Sequence, residues 1–385
     1  MPPPPRDFAK ELSAIISHKY DELIVRYSFL AETEWWKKKT IILFGCGSGL
    51  ESTRDDLRIY DTAIKYLCDN NPAKHGKIID GLEVISPDRL SEIKDVFVII
   101  TVGKTAAVSQ IIAQLEQRKI DHIGLSEFTV LFLKNNEDKT QKVLSILADE
   151  QSKIVYSTVI RGRLEKSSKL FASIYSPDQY FYLPEFFKYD PQQDAGIIFI
   201  DAGSFTGESI ERWLIKYDVS TFTQKIYAFE PSPRNYAALQ CRTNRLKNEW
   251  AIADDVLVCV NAGLGENTET APFAGENLIG SSFVFSASNS GENAKVYSLD
   301  DFLNGAPATF IKADIEGYEL KMLRGAKNTI QKYRPKIAIC IYHKILDLYE
   351  IPLLLKEYVP EYKFMVRHHA TTFLETVLYC FVDDE

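Results

Sequence analysis

GIIFIDAGSFTGESI, residues 196–210, is the stretch whose reading decides the fold. An apolar run from Ile197 to Ile200 reads as a strand that ends at Asp201, and a helix starts near Gly207. Gly203 lets a ligand approach the backbone closely, and Gly207 opens the helix that follows. A dinucleotide fingerprint would read GxGxxG. Here an Asp precedes the first glycine, which suits a ligand that presents an amino group rather than a pyrophosphate.

The same alternation continues downstream. KIYAFEPSPRNYAAL (225–239) is a strand and a helix, with Ser232 as the cap and Pro233 in the first turn. VLVCVNAGLGE (256–266) is a third strand. Residues 266–294 are rich in Gly, Ser and Asn and read as an insertion of loops or small hairpins. YSLDDFL (297–303) is a short helix with a Ser298/Asp301 capping box. TFIKADIEGYELKMLRGAKNTI (309–330) is a strand ending at Asp314 and then a helix. PKIAICIYH (335–343) is a strand ending just before His343. YKFMVRHH and ETVLYCFV close the series as two antiparallel strands.

Open α/β sheets bind ligands beyond the C-terminal ends of their strands. The polar residues at those ends are Asp201, Glu230, Asn261, Asp314 and His343. Glu230 stands where an acid accepts both hydroxyls of a ribose. A cofactor with both an amino group and a ribose is S-adenosylmethionine. Asp314, Glu316 and His343 are candidate bases or ligands. Glu316 also reads as a first-turn acid stabilised by the helix dipole. Lys312 shares a strand face with Asp314 and can pair with an acid. His368 and His369 point to opposite strand faces, so at most one enters the cleft. A hard cation such as Mg²⁺ could use Asp314 and Glu316, which offer oxygen ligands.

These segments also carry a resemblance. FIDAGSFTGES, AFEPSPRNY, NAGLGE, YSLDDFL, FIKADIEGYELKMLRGA, RPKIAICIYH and RHH with ETVLYCF occur in one order across residues 197–382. This half resembles the FkbM family of methyltransferases, and DQYF (178–181) also recurs ahead of such domains. The resemblance implies a class I, Rossmann-like methyltransferase that uses S-adenosylmethionine, typically to O-methylate sugars or other secondary metabolites. It implies that Asp201, Gly203, Gly207 and Glu230 hold the cofactor, with Asn261 and Gly263 near the adenine. The expected acceptor is a hydroxyl of a sugar, nucleotide-linked sugar or surface glycan.

Upstream, KKKTIILFGCGSGLES (37–52) reads as a strand and a glycine turn, followed by a helix to about Tyr60. TAIKYLCD, DVFVIITVG and DHIGLSEF add strands, VSQIIAQLEQRKI adds an amphipathic helix, and KIIDGLEVISP reads as a short excursion. GCGSG with Asp69 ending the next strand resembles a dinucleotide or nucleotide-sugar fold. It sustains a rival reading as an NAD(P)-dependent oxidoreductase acting on nucleotide sugars, beside a second rival, a non-catalytic scaffold.

The expected organisation is therefore α/β. A helical segment (1–38) precedes a small Rossmann-like domain (39–135), a helical and aromatic bridge (136–195) and the methyltransferase domain (196–385). The leading helix, Phe8 to Leu30, packs on its own domain or joins a homo-oligomer interface. The length of 385 residues suits two domains. A net charge of −8 gives nucleic acid no general footprint. The six cysteines include no CxxC pair and read as free thiols in a reducing cytoplasm. MPPPPRDFAKEL has no apolar core of a signal peptide, and no stretch is long enough to span a bilayer.

Overall fold

The structure is a computed structural model that describes residues 6–47, 50, 63–79, 81–102, 105–187, 196–217, 223–272 and 293–382. Gly49, the helix expected up to Tyr60 and most of the 266–294 insertion lie outside the described residues. The described chain divides into two compact units, one up to Gln141 and one from Lys142 onward.

The first unit is built on strands β1 (Thr40–Phe44), β2 (Ile64–Cys68), β3 (Ile78–Ile79), β4 (Leu82–Ile85), β5 (Val96–Ile100) and β6 (His122–Gly124). Their order is β3-β4-β2-β1-β5-β6, parallel except for the β3–β4 hairpin. The apolar runs of β1 and β5 are buried, as the near-continuous hydrophobicity of a sheet covered on both faces requires. Helix α1 (Phe8–Arg26) buries Phe8, Leu12, Ile16 and Leu23, the residues that set its spacing. One expectation is corrected here. Only His122–Gly124 of DHIGLSEF is strand, and Leu125 opens helix α2 (Leu125–Asn135). The helix buries Phe128 together with Val130–Leu133, more apolar surface than a short edge strand offers.

The second unit holds β7 (Ile197–Ala202), β8 (Thr223–Phe229), β9 (Leu257–Val260), β10 (Gly263–Leu264), β11 (Glu269–Pro272), β12 (Asn293–Tyr297), β13 (Phe310–Ala313), β14 (Lys336–Cys340), β15 (Lys363–His368) and β16 (Thr376–Phe381). Seven strands form one sheet in the order β15-β16-β14-β13-β7-β8-β9. Strands β13, β14, β7, β8 and β9 run parallel, and β16 lies antiparallel between β14 and β15. The chain leaves β7 toward β8 on one side and returns to β13 on the other, so the crevice falls at the tips of β7 and β13.

Residues 142–187 belong to this second unit. The helix Glu150–Glu165 lies against β15, where Val366 N–H donates to Ser152 Oγ at 3.0 Å. The aromatic run of the bridge packs into the core of this unit. Phe181, Phe186 and Phe187 pack with Phe199, Trp213 and Phe310, and Phe181 meets Trp213 edge-on at 5.1 Å between ring centroids.

Candidate active site

A cavity of about 600 Å³ opens over the strand tips of the second unit. In sheet order, its wall takes Glu230 after β8, Gly203 after β7, Asp314 after β13 and His343 after β14. Three strand spacings of about 4.8 Å separate the first from the last, roughly 14 Å in all. Volume and length both suit a nucleoside-sized cofactor with a second molecule beside it.

Gly203 is dictated by backbone contact. Its φ is +76°, and a Cβ there would lie 1.9 Å from the carbonyl oxygen of Asp314. Only glycine lets the tips of β7 and β13 approach this closely. Gly207, expected among the cofactor residues, caps the helix α3 (Glu208–Lys216) at φ +89°, and a Cβ there would meet Leu239 and Arg242. Gly207 serves helix packing and is not on the cavity wall.

Asp201, expected at the cofactor's amino group, lies buried behind the cavity wall. It has no exposed surface and does not line the cavity. Register places Lys312 beside it, Nζ to Oδ1 at 3.2 Å, and Ser209 Oγ donates to its Oδ2 at 2.5 Å. Burial alone would lower Lys312, but Asp201 and Asp314 outweigh it and raise its pKa, so it stays an ammonium. Its Nζ also donates to the Gly203 carbonyl at 2.8 Å, which holds the glycine turn from below. Asp201 is therefore linked to the Gly203 turn through Lys312 and bonded to Ser209 on the following helix.

Glu230 does face the cavity. Its Oε2 accepts from Phe205 N–H at 3.0 Å and its Oε1 from Ser232 N–H at 2.9 Å. Burial pushes this carboxyl up to about 7 against those bonds. Ser232 caps the helix Pro233–Glu249, as its sequence position predicts. Asn261 is exposed and off the wall. It donates to the Glu230 carbonyl at 2.9 Å and so braces the turn, whereas Gly263 lies on the wall itself.

The DIEG turn after β13 builds the other end. Asp314 and Glu316 line the cavity, and His343 enters it from the tip of β14. His343 Nε2 lies 3.5 Å from Asp314 Oδ1 and 3.5 Å from Glu316 Oε2, and Nδ1 lies 3.0 Å from Glu319 Oε1. The imidazole thus stands between the two carboxylates expected to chelate Mg²⁺. Burial alone would lower His343; Glu319, Asp314 and Glu316 outweigh it and raise it to about 10. Burial raises Glu316, and burial with Asp314 raises Glu375.

Four wall residues, Tyr180, Phe205, Glu316 and Glu375, are held at φ between 50° and 60° although none is glycine. Such left-handed backbone costs about 1–3 kcal/mol each and gathers at functional sites. Sequence reasoning missed Glu319, Glu375 and Tyr342. Tyr342 Oη donates to Asp314 Oδ1 at 3.2 Å, and Gln179 Nε2 holds Glu375 at 2.8 Å. His368 and His369 are both absent from the wall. His368 bonds Thr376 and Thr372, and His369 bonds Ser176 and Tyr379.

In the first unit, Gly45 follows β1 at φ +120° and Asp69 follows β2. The Asp69 carboxylate is already taken. It accepts from Cys46 N–H at 3.0 Å, Asn71 N–H at 2.8 Å and Lys74 Nζ at 2.9 Å. A dinucleotide ribose would have to displace that lysine.

A parallel sheet with an antiparallel strand inserted near its edge, and a cavity over its switch point, define the second unit as a Rossmann-like, S-adenosylmethionine-dependent methyltransferase. Residues 201–365 match the methyltransferase FkbM domain, so the second unit carries a domain of that kind. The crystal structure of methyltransferase FkbM from Methylobacillus flagellatus KT is 21% identical at a TM-score of 0.57, over 97% of this chain and 99% of that one. That likeness bears on the fold. The METTL16 MTase domain (12% identity, TM-score 0.32, 66% of this chain and 92% of that) and LepI in complex with SAM (8%, 0.29, 67% and 67%) are more distant and carry no weight. No curated protein matches the chain. Among the described residues, no helix is long and apolar enough to cross a membrane.

Proposed function

We propose that the second unit transfers the methyl group of S-adenosylmethionine to a hydroxyl of a neutral sugar or glycan. The observation that carries this reading is the order of groups along the strand tips: Glu230 at β8, the Gly203 turn at β7, and Asp314, Glu316 and His343 at β13 and β14. Glu230 accepts the ribose hydroxyls, the Gly203 turn receives the methionine portion, and Gly263 borders the adenine. The methyl then points toward the acidic end of the cavity.

The step is an in-line displacement. The S–CH₃ bond breaks, an O–CH₃ bond forms, and S-adenosylhomocysteine leaves. The hydroxyl proton passes to the Glu316 carboxylate, which at 37% side-chain exposure is the most open of the acids around His343. His343, fixed from behind by Glu319, positions Asp314 and Glu316 around the acceptor.

The acidic wall supports the acceptor class. Carboxylates only accept hydrogen bonds, and a polyol offers donors. A diphosphate offers no donors to these carboxylates, so a neutral sugar or glycan fits better than a nucleotide-linked sugar or a nucleic acid. The engaged Asp69 carboxylate weighs against the oxidoreductase alternative. Six free cysteines support a reducing, cytoplasmic setting.

The test is methyl-labelled S-adenosylmethionine incubated with separate pools of neutral glycans, nucleotide sugars, RNA and protein. Label is expected in the neutral glycans. Label confined to RNA or protein would overturn the acceptor while leaving the transferase reading intact.

A further inference from the structure

The DIEGYE turn brings three potential ligand groups together. Single donor atoms of Asp314, Glu319 and His343 all lie within 4.8 Å of one another. Glu316 joins them through Oε2, 3.5 Å from His343 Nε2, the same distance as Asp314 Oδ1. Two donors on one ion at about 2.1 Å stand about 3.0–3.4 Å apart for bond angles of about 90–110°. The two 3.5 Å spacings from Nε2 lie closer to that co-ligand separation than to a hydrogen bond of about 2.9 Å, whereas Glu319 Oε1 lies 3.0 Å from the other ring nitrogen, Nδ1.

An independent observation points the same way. His343 is 91% buried on the 9% side-chain exposure it retains, yet neither ring nitrogen makes a hydrogen bond of acceptable geometry. Glu319 has no exposed surface, and its Oε2 also lacks a partner. Buried polar atoms are ordinarily satisfied, so these orphans ask for a group that accepts several lone pairs at once. Ile315 N–H fixes Glu319 by donating to Oε1 at 2.9 Å, and Tyr342 fixes Asp314, so the set is held in place by its neighbours.

We propose that Asp314, Glu319 and His343 form a site for one divalent first-row transition cation, with Glu316 left at the rim as the proton acceptor. The imidazole nitrogen among carboxylates suits Mn²⁺, Fe²⁺ or Zn²⁺ better than Mg²⁺, which prefers oxygen alone. Its role rests on the methyl-transfer reading. An ion here borders the acceptor end of the cavity, where its open positions hold adjacent oxygens of the acceptor and make the reacting hydroxyl more acidic.

The experiment uses the full chain, stripped with a chelator and titrated with Mn²⁺ alone, with bound ion followed by electron paramagnetic resonance. S-adenosylhomocysteine binding is measured in parallel as the control for fold and cofactor site. One Mn²⁺ per chain is expected, with affinity at least tenfold weaker in both His343→Asn and Glu319→Gln while S-adenosylhomocysteine still binds. Wild-type protein that takes up no stoichiometric Mn²⁺ overturns the site, and so does affinity unchanged in both variants. The wild-type stoichiometry decides the matter even if one variant fails to fold. Failure to bind S-adenosylhomocysteine would count against the transferase reading instead.

Discussion

Lys312 Nζ lies 3.2 Å from Asp201 Oδ1 across the β13–β7 register, and the two side chains are 6% and 0% exposed. A buried pair of this kind is costly to break, because the partner left behind is a desolvated charge. Asp201→Ala should therefore lower global stability by about 3–5 kcal/mol, since Lys312 would remain buried without its anion. Denaturant unfolding of the full chain checks this. A change under about 1 kcal/mol, with cofactor affinity lost, would instead put Asp201 in direct contact with ligand.

Gly203→Ala meets a harder limit. Its new Cβ would lie 1.9 Å from a backbone oxygen at a φ of +76°. No side-chain rotation relieves a backbone clash, so the tips of β7 and β13 must separate. Stability should fall by more than the roughly 1–3 kcal/mol of left-handed strain alone, and S-adenosylhomocysteine binding should fall with it. A soluble variant with wild-type stability and affinity would refute the close approach.

His368 and His369 give a pH prediction. Burial pushes both down to about 4 from the ordinary 6.5. The unfolded chain takes up these protons first, so their contribution to stability is complete above about pH 6.5 and is lost as pH falls toward 4. Two such groups give a slope of up to about 2.7 kcal/mol per pH unit within that window. The raised Glu230 carboxyl acts in the opposite sense over part of this window, so the readout is the difference between wild type and His368→Gln in urea unfolding between pH 4.5 and 7.5: the variant should lose less stability on acidification, and an identical pH dependence in the two proteins would contradict the assignment.

Much of this was legible in the sequence because β-strand tips carry their own signals. The run before Asp201, the Ser232 cap and the apolar strand before His343 place Glu230, Gly203, Asp314 and His343 in one crevice without coordinates. What stayed hidden depends on register and on turns. Nothing in FIDAG says that Lys312, over a hundred residues on, will be Asp201's neighbour. Glu319 reads as an ordinary first-turn acid, because only the folded DIEG turn, with Glu316 at φ +55° and Gly317 at +92°, directs it back toward β14. Strand alternation allowed at most one of the two histidines of RHH into the cleft, and neither lines it. They miss it because β16 separates β15 from the tips that form the cavity. LSEF failed differently: its apolar spacing serves a helix as well as a strand, and burial of Phe128 chose the helix.

A cofactor seated between the Gly203 turn and Glu230 can be titrated calorimetrically, with S-adenosylhomocysteine added to the full chain and to Glu230→Ala. Wild type should bind one equivalent. The variant should bind more weakly by about 1.5–3 kcal/mol, roughly 10- to 150-fold, as expected for the loss of charge-assisted hydrogen bonds to the ribose. Equal affinity in the two proteins, or no binding by either, would contradict it.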